Sequence, residues 1–126
     1  MALLLDTHAF LWWVADDERL SAKARRAIER QDSFVSLASC WEMAIKVSLG
    51  KLTVPSSIDR FVHRQLEVNG FSLLPIALEH TSMAADLPFH HRDPFDRLLA
   101  AQALSEELTV VSADAIFKEY RVRRVW

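Results

Sequence analysis

The chain has 126 residues, 51% of them hydrophobic and 25% charged, with a formal net charge of −2; it reads as one domain over residues 1–126, able to bury about two thirds of its unfolded surface. No apolar run approaches the ~20 residues of a membrane span, and Asp6 interrupts the first apolar run before it could serve as a signal peptide. The single Cys40 rules out an internal disulfide framework and fits a reducing cytoplasm, and the mild acidity argues against binding nucleic acid by bulk charge, though not through a local basic patch or bound metal ions.

Residues 2–5 are apolar and stop at Asp6, which Thr7 and His8 follow. In a chain that alternates strands with helices, this run is a buried parallel strand. Ligands of open parallel sheets sit beyond the carboxyl ends of the strands, so Asp6 is placed for chemistry. Residues 7–15 continue as a helix, apolar on most of its surface. Adjacent Trp12 and Trp13 cannot both face one core, so part of that helix is an interface. Ser21 opens the next helix, and Arg19, Lys23, Arg26 and Arg30 form its solvated face, a phosphate-contact stripe being the minority reading.

Residues 34–36 form the second strand. A helix opened by Ser36 or Ser39 runs to a cap at Gly50, with Trp41, Ile45, Leu49 and Leu52 as its apolar set. Glu42 falls in its first turn, and Lys46 four residues on offers it an ion pair. Pro55 breaks the chain, residues 57–69 form an amphipathic helix closed by Gly70, and residues 71–76 form the third strand. A short helix over 78–87 is followed by the polar cluster His90, His91, Arg92, Asp93, Asp96 and Arg97, which leads into a helix over 98–107. Residues 108–112 are β-branched and apolar, a strand that ends at Asp114. A short helix over 115–120 and a strand over 122–126 complete the order β-α-α-β-α-α-β-α-α-β-α-β, an α/β domain on a parallel sheet.

Two distant strands thus end in acids, Asp6 and Asp114, and one parallel sheet projects both from the same edge. The helix returning to the Asp114 strand must start at that edge, which brings Asp96; Glu42 joins by the same argument. Two charges ~4 Å apart repel by roughly 4 kcal/mol at an effective dielectric near 20. Four carboxylates therefore either raise their pKa values or hold a cation. Oxygen-only ligation suits Mg2+ or Mn2+, and such a centre suits hydrolysis of a phosphodiester. Each acid also has a structural reading. Asp93-Pro94-Phe95-Asp96 matches a helix start, so for Asp93 capping ranks ahead of ligation, and for Asp96 function ranks first. Glu42 is balanced between the site and Lys46, while Asp6 and Asp114 gain least from structure alone. His90 and His91 with Asp93 suggest zinc, but adjacent histidines rarely both reach one ion and no cysteine stands near, so they read as loop histidines that touch substrate or nothing; His8 is a bystander. With only Gly50 and Gly70, a glycine-rich phosphate loop is excluded.

The stretches LLLDTHAFLWW, SLASCWEMAIKVSLGKL, HHRDPFDRLLAAQA and LTVVSADAIFKEY span nearly the whole chain in this order. They resemble the PIN-domain ribonucleases, and more closely the VapC toxins of bacterial toxin–antitoxin pairs. The resemblance implies a three-layer α/β/α sandwich around a parallel sheet and an endoribonuclease dependent on Mg2+ or Mn2+. Its acidic set falls on Asp6, Glu42, Asp96 and Asp114, with Asp93 an extra acid that either stands behind the ligands or is an occasional ligand, and Ser112 and Thr7 as hydroxyls near the metal. Arg97 and Lys46 are the cations expected to position the RNA backbone. Toxins of this kind are dimeric and neutralised by a cognate antitoxin whose C-terminal segment lies in a groove near the acids. The Trp12–Trp13 helix and residues 34–52 are the expected docking surfaces. The alternative is a catalytically silent RNA-binding or scaffold module on the same fold. Phosphotransfer through an aspartyl phosphate needs a second acid near Asp6, where His8 stands instead.

Overall fold

A computed structural model describes residues 2–89 and 93–126, so His90, His91 and Arg92 lie outside the described residues. The elements follow the expected order: β1 (Leu3–Leu5), α1 (Thr7–Val14), α2 (Ala22–Arg30), β2 (Ser33–Ser36), α3 (Leu37–Ser48), α4 (Ile58–Asn69), β3 (Ser72–Leu74), α5 (Leu78–Asp86), α6 (Pro94–Glu106), β4 (Thr109–Val111), a 3-10 helix (Ala115–Tyr120) and β5 (Arg124–Val125). All strand pairs are parallel, in the order β3-β2-β1-β4-β5. β1 is therefore central, with Leu4 opposite Phe34 on one side and Val110 on the other.

Successive strand residues face opposite ways, and β1 divides accordingly. Leu3 and Leu5 join Val35, Val111, Phe10, Met43 and Phe61 in one core layer. Leu4 joins Val110, Leu99, Ala100 and Phe117 in the other. Burial on both faces is why the strand is apolar throughout. Helices α1, α2 and α4 cover one face, α6 and the 3-10 helix cover the other, and α3 touches both through Met43 and Ala38. The result is the expected three-layer α/β/α sandwich.

Helix boundaries bring corrections. Ser36, not Ser39, caps α3, its Oγ accepting from the Ala38 N–H at 3.0 Å. That early start moves Glu42 out of the first turn into the second. The apolar stripe of α3 was also misassigned, since the buried face carries Ala38, Ser39 and Met43 while Trp41 and Leu49 are 63% and 62% exposed. Helix α6 starts at Pro94, before residue 98, and follows the Asp93-Pro94-Phe95-Asp96 start that the sequence offers: Asp93 caps it and proline at the first position is preset for helix. β4 ends at Val111, so Asp114 lies beyond the strand and opens the 3-10 helix. The tryptophans of α1 split as expected but are engaged within the chain. Trp13 Nε1 donates to Asn69 Oδ1 at 3.0 Å, and Trp12 packs on Trp126 at 5.7 Å between centroids. Gly70, at φ +66°, closes α4 in the left-handed region that glycine reaches without strain. Among the described residues no helix is long and apolar enough to cross a membrane.

Candidate active site

A cavity of about 420 Å³ opens at the carboxyl edge of the sheet, with Asp6, Glu42, Asp96 and Asp114 all in its wall and Asp93 beside them. The acids that strand order assigned to one rim do share one space. Thr7, His8, Trp12 and Ala113 complete the lining.

Asp6 leaves β1 with its N–H still donating to the Val111 carbonyl at 3.1 Å, which fixes it to the sheet. Its Oδ1 then accepts from the Ala9 N–H at 2.8 Å and caps α1. Burial pushes the Asp6 pKa above its ordinary 3.8 and the Glu42 carboxylate adds to the rise, against opposing hydrogen bonds from Ser112 and Ala9 and the pull of His8. Ser112, fully buried, holds two acids at once: it hydrogen-bonds Asp6 and its Oγ accepts from the Asp114 N–H at 3.0 Å. Asp114 Oδ1 accepts from the Ile116 N–H at 2.9 Å and caps the 3-10 helix. Asp93 Oδ1 accepts from the N–H groups of Phe95 at 2.9 Å and Asp96 at 3.4 Å, capping α6 with Asp96 in its first turn.

Capping and chemistry are thus not alternatives at this rim. Three helical N-termini converge on the cavity, and each capping carboxylate gives an oxygen to backbone while it lines the cavity wall. The positive ends of those helices offset part of the repulsion among the acids. Asp6 and Asp114, expected to gain least from structure, each carry a cap that an alanine would lose.

Glu42 reaches the cavity from the second turn of α3 because helical side chains lean toward the N-terminus. Thr7 Oγ1 donates to its Oε1 at 2.6 Å, and Lys46 Nζ lies 3.2 Å from its Oε2. The ion pair and the site position therefore coexist. Thr7 and Ser112, placed near the acids by family resemblance, both lie against a carboxylate.

Arg97 is a correction. It is 7% exposed and absent from the cavity wall. Its guanidinium donates to the carbonyls of Ala84 at 2.6 Å, Pro88 at 2.9 Å and Leu87 at 3.0 Å, and contacts Tyr120 Oη at 3.4 Å. It ties the end of α5 to α6, so the RNA-positioning role assigned to it is withdrawn. His8, read as a bystander, is exposed, lines the cavity, and stacks its ring on Trp12. Sequence reasoning named Ser36 only as a helix opener and passed over its partner Gln102. Ser36 Oγ donates to Gln102 Oε1 at 2.6 Å in the core, locking the start of α3 to α6 and hence Glu42's helix to Asp96's. A glutamine inside an alanine-rich helix was the available signal.

At the opposite end of α6, ligand-type atoms of Glu79, His80 and Glu106 lie within 4.8 Å of one another. His80 Nδ1 accepts from the Ala77 N–H at 2.9 Å, which places the ring proton on Nε2, 3.4 Å from Glu106 Oε1. A protonated Nε2 is no metal ligand. His80 instead closes the first turn of α5 through the Ala77 N–H.

A PIN domain family model matches residues 3–122. Ribonuclease VapC22 of Mycobacterium tuberculosis is 28% identical over 130 residues, covering 98% of each chain. Among solved structures, FitAcB of Neisseria gonorrhoeae superposes with a TM-score of 0.69 at 19% identity, covering 97% of this chain and 95% of that one. VapBC2 of Rickettsia felis, bound to a DNA fragment from its promoter, superposes with a TM-score of 0.68 at 14% identity, covering 98% and 97%.

Proposed function

This chain belongs to the PIN domain family, and from that premise we propose that it is a divalent-metal-dependent endoribonuclease, the toxin of a toxin–antitoxin pair acting in the cytoplasm. The observation that carries this reading is the convergence of Asp6, Glu42, Asp96 and Asp114 on one cavity. The name of the mycobacterial relative, a ribonuclease, supports it. The donor set fits a hard cation: it is all oxygen, and burial together with the neighbouring Glu42 carboxylate raises the Asp6 pKa, a cost that a bound cation would relieve. Asp6, Asp96 and Asp114, with Glu42, are the residues that would hold Mg2+ or Mn2+, and Asp93 is an occasional ligand. When bound, the ion supplies a Lewis acid that acidifies water and stabilises charge on phosphodiester oxygens.

The chain's own residues prepare that chemistry. Thr7 and Lys46 keep Glu42 aimed into the cavity, and Ser112 keeps Asp6 and Asp114 in fixed relation. The helical N-termini, capped by Asp6, Asp93 and Asp114, hold those carboxylates in place at the cavity. The Lys46 Nζ lies against Glu42, and that nearness to the acids supports a role for it in meeting the RNA backbone. A cognate antitoxin and a second copy of the chain are the proposed protein partners. Exposed Trp41, Leu37 and Leu73, around an apolar groove with Cys40 and Val62, offer partner-sized apolar surface.

The test is cleavage of single-stranded RNA with Mg2+ or Mn2+, with chelator, and by Asp6→Asn. Cleavage lost in the last two, with Asp6→Asn folded by circular dichroism, is the expected result. Cleavage retained by Asp6→Asn refutes the assignment.

A further inference from the structure

We propose that a groove beside the acid cavity is a nucleotide subsite, in which a base next to the scissile bond stacks on His8 while its backbone meets Lys46 and Lys51. The inference rests on the ribonuclease reading and deepens it. The groove is a cavity of about 390 Å³ that shares His8 and Trp12 with the acid cavity. A strand lying across the acids therefore continues into it along one surface.

The shared wall is an aromatic shelf. His8 lies 5.4 Å from Trp12 between ring centroids, at 17° from parallel. Trp12 is braced from behind by Trp126 at 5.7 Å and by the Arg19 guanidinium, 5.0 Å from its ring centre. Trp12 is half-buried and packs against the core, so hydrophobic burial accounts for it. Burial does not account for His8, which is exposed and adds no apolar cover. What His8 does present is an aromatic face already held in a stack, with its other side toward solvent. Every base has a π-face, so such a platform accepts single-stranded RNA, whereas paired bases in a duplex are not free to reach it.

Charge agrees with this placement. The acid cavity alone repels a phosphate chain. Lys46, Lys51 and Arg19 line the adjoining groove. Arg19 is held by Asp17 at 2.7 Å and Lys46 by Glu42 at 3.2 Å. Lys51 is exposed and makes no ion pair among the described residues, which leaves its charge for a ligand. With Arg19 and Lys46 paired and Leu11, Val14, Leu52 and Val54 also in the wall, the groove offers the Lys51 charge and apolar contacts beside the aromatic shelf, which suits the backbone and bases of an unpaired strand leaving the cleavage site.

The experiment uses random-sequence single-stranded 12-mer oligoribonucleotides. KM and kcat are measured with Mg2+, and Kd with the fluorescein-labelled pool and Ca2+ in place of Mg2+. The variants are His8→Ala, His8→Phe and Lys51→Ala. His8→Ala is expected to raise KM and Kd about tenfold, equivalent to about 1.4 kcal/mol and within the range for one base–aromatic stack, while kcat stays within threefold. His8→Phe restores both, because a phenyl ring stacks but carries no proton. Lys51→Ala lowers the slope of log Kd against log salt by ~0.7, one single-strand phosphate contact. KM and Kd within twofold of wild type in His8→Ala overturn the proposal and leave the groove to a polypeptide. A fall in kcat alone that His8→Phe fails to rescue also overturns it, in favour of proton transfer. Should the wild type cleave nothing, the ribonuclease reading fails, and the Kd measurements in Ca2+ still decide the shelf separately.

Discussion

Replacing Arg97 by methionine distinguishes a structural from a substrate-binding arginine one residue after a site acid. Methionine keeps most of the apolar stem but removes the guanidinium, which donates to three carbonyls at the end of α5 and contacts Tyr120 Oη. A hydrogen bond to a charged group is worth about 1.5–3 kcal/mol, and a buried partner left behind retains the penalty. Pro88 is exposed and its carbonyl can turn to water, whereas Ala84 and Leu87 are half-buried. Counting those two bonds gives a loss of about 3–6 kcal/mol, a large part of the ~5–15 kcal/mol by which a domain is stable. For a chain of this length that lowers Tm by roughly 10–20 °C. Urea and thermal unfolding followed by circular dichroism read the loss, and RNA cleavage is assayed well below the transition. Arg97→Lys, which keeps the charge but not the planar fork, falls between. Arg97→Met with stability within 1 kcal/mol of wild type and a raised KM for RNA would refute the reasoning and restore the substrate role.

Burial raises the Asp6 pKa above its unfolded 3.8, so the folded state binds the extra proton and metal-free stability falls as pH rises from 3.8 through the folded value. Asp6→Asn keeps an oxygen for the Ala9 N–H without the charge; its metal-free Tm is expected to exceed wild type at pH 7 and to converge with it in acid, and parallel pH curves would contradict this. Thr7→Val removes the 2.6 Å bond to Glu42; kcat is expected to fall tenfold or more with KM unmoved and to return in Thr7→Ser, while an unaltered kcat makes that hydroxyl dispensable. Burial pushes the Cys40 thiol up to about 11 from 9.0, so at pH 8 its thiolate is about a hundredfold scarcer than that of a free cysteine. Labelling by a disulfide reagent should be correspondingly slow and rise about tenfold per pH unit, and labelling at the free-cysteine rate would contradict the burial.

The acids were legible because strand order, not side-chain packing, decides where they fall. An apolar run stopping at Asp6 and the antiparallel return of the helix before β4 place carboxylates on one edge whatever the fine geometry. What escaped was orientation around helix axes. The spacing of Trp41, Ile45 and Leu49 described a real stripe, but the angle at which β2 hands over to α3 turned Met43 and Ala38 toward the sheet instead. Arg97 follows Asp96 in one turn, where adjacent residues point about 100° apart; only the end of α5, brought alongside in the fold, shows which of them faces inward. His8 carried no periodic or pairing signal, since its partner Trp12 acts as a shelf and not as a charge.

The central place of β1 has a consequence in time. Its neighbours are β2, near the start of the chain, and β4, near its end. Asp6 and Glu42 emerge from a ribosome early, but Ser112 and Asp114 follow seconds later at about 5–20 residues per second. Until β4 slots in beside β1, Asp6 lacks both the Val111 carbonyl that fixes its backbone and the Ser112 hydroxyl that fixes its side chain. The site geometry thus forms only when the end of the chain has joined its beginning, so the strand order makes assembly of the acid cavity one of the last events of synthesis.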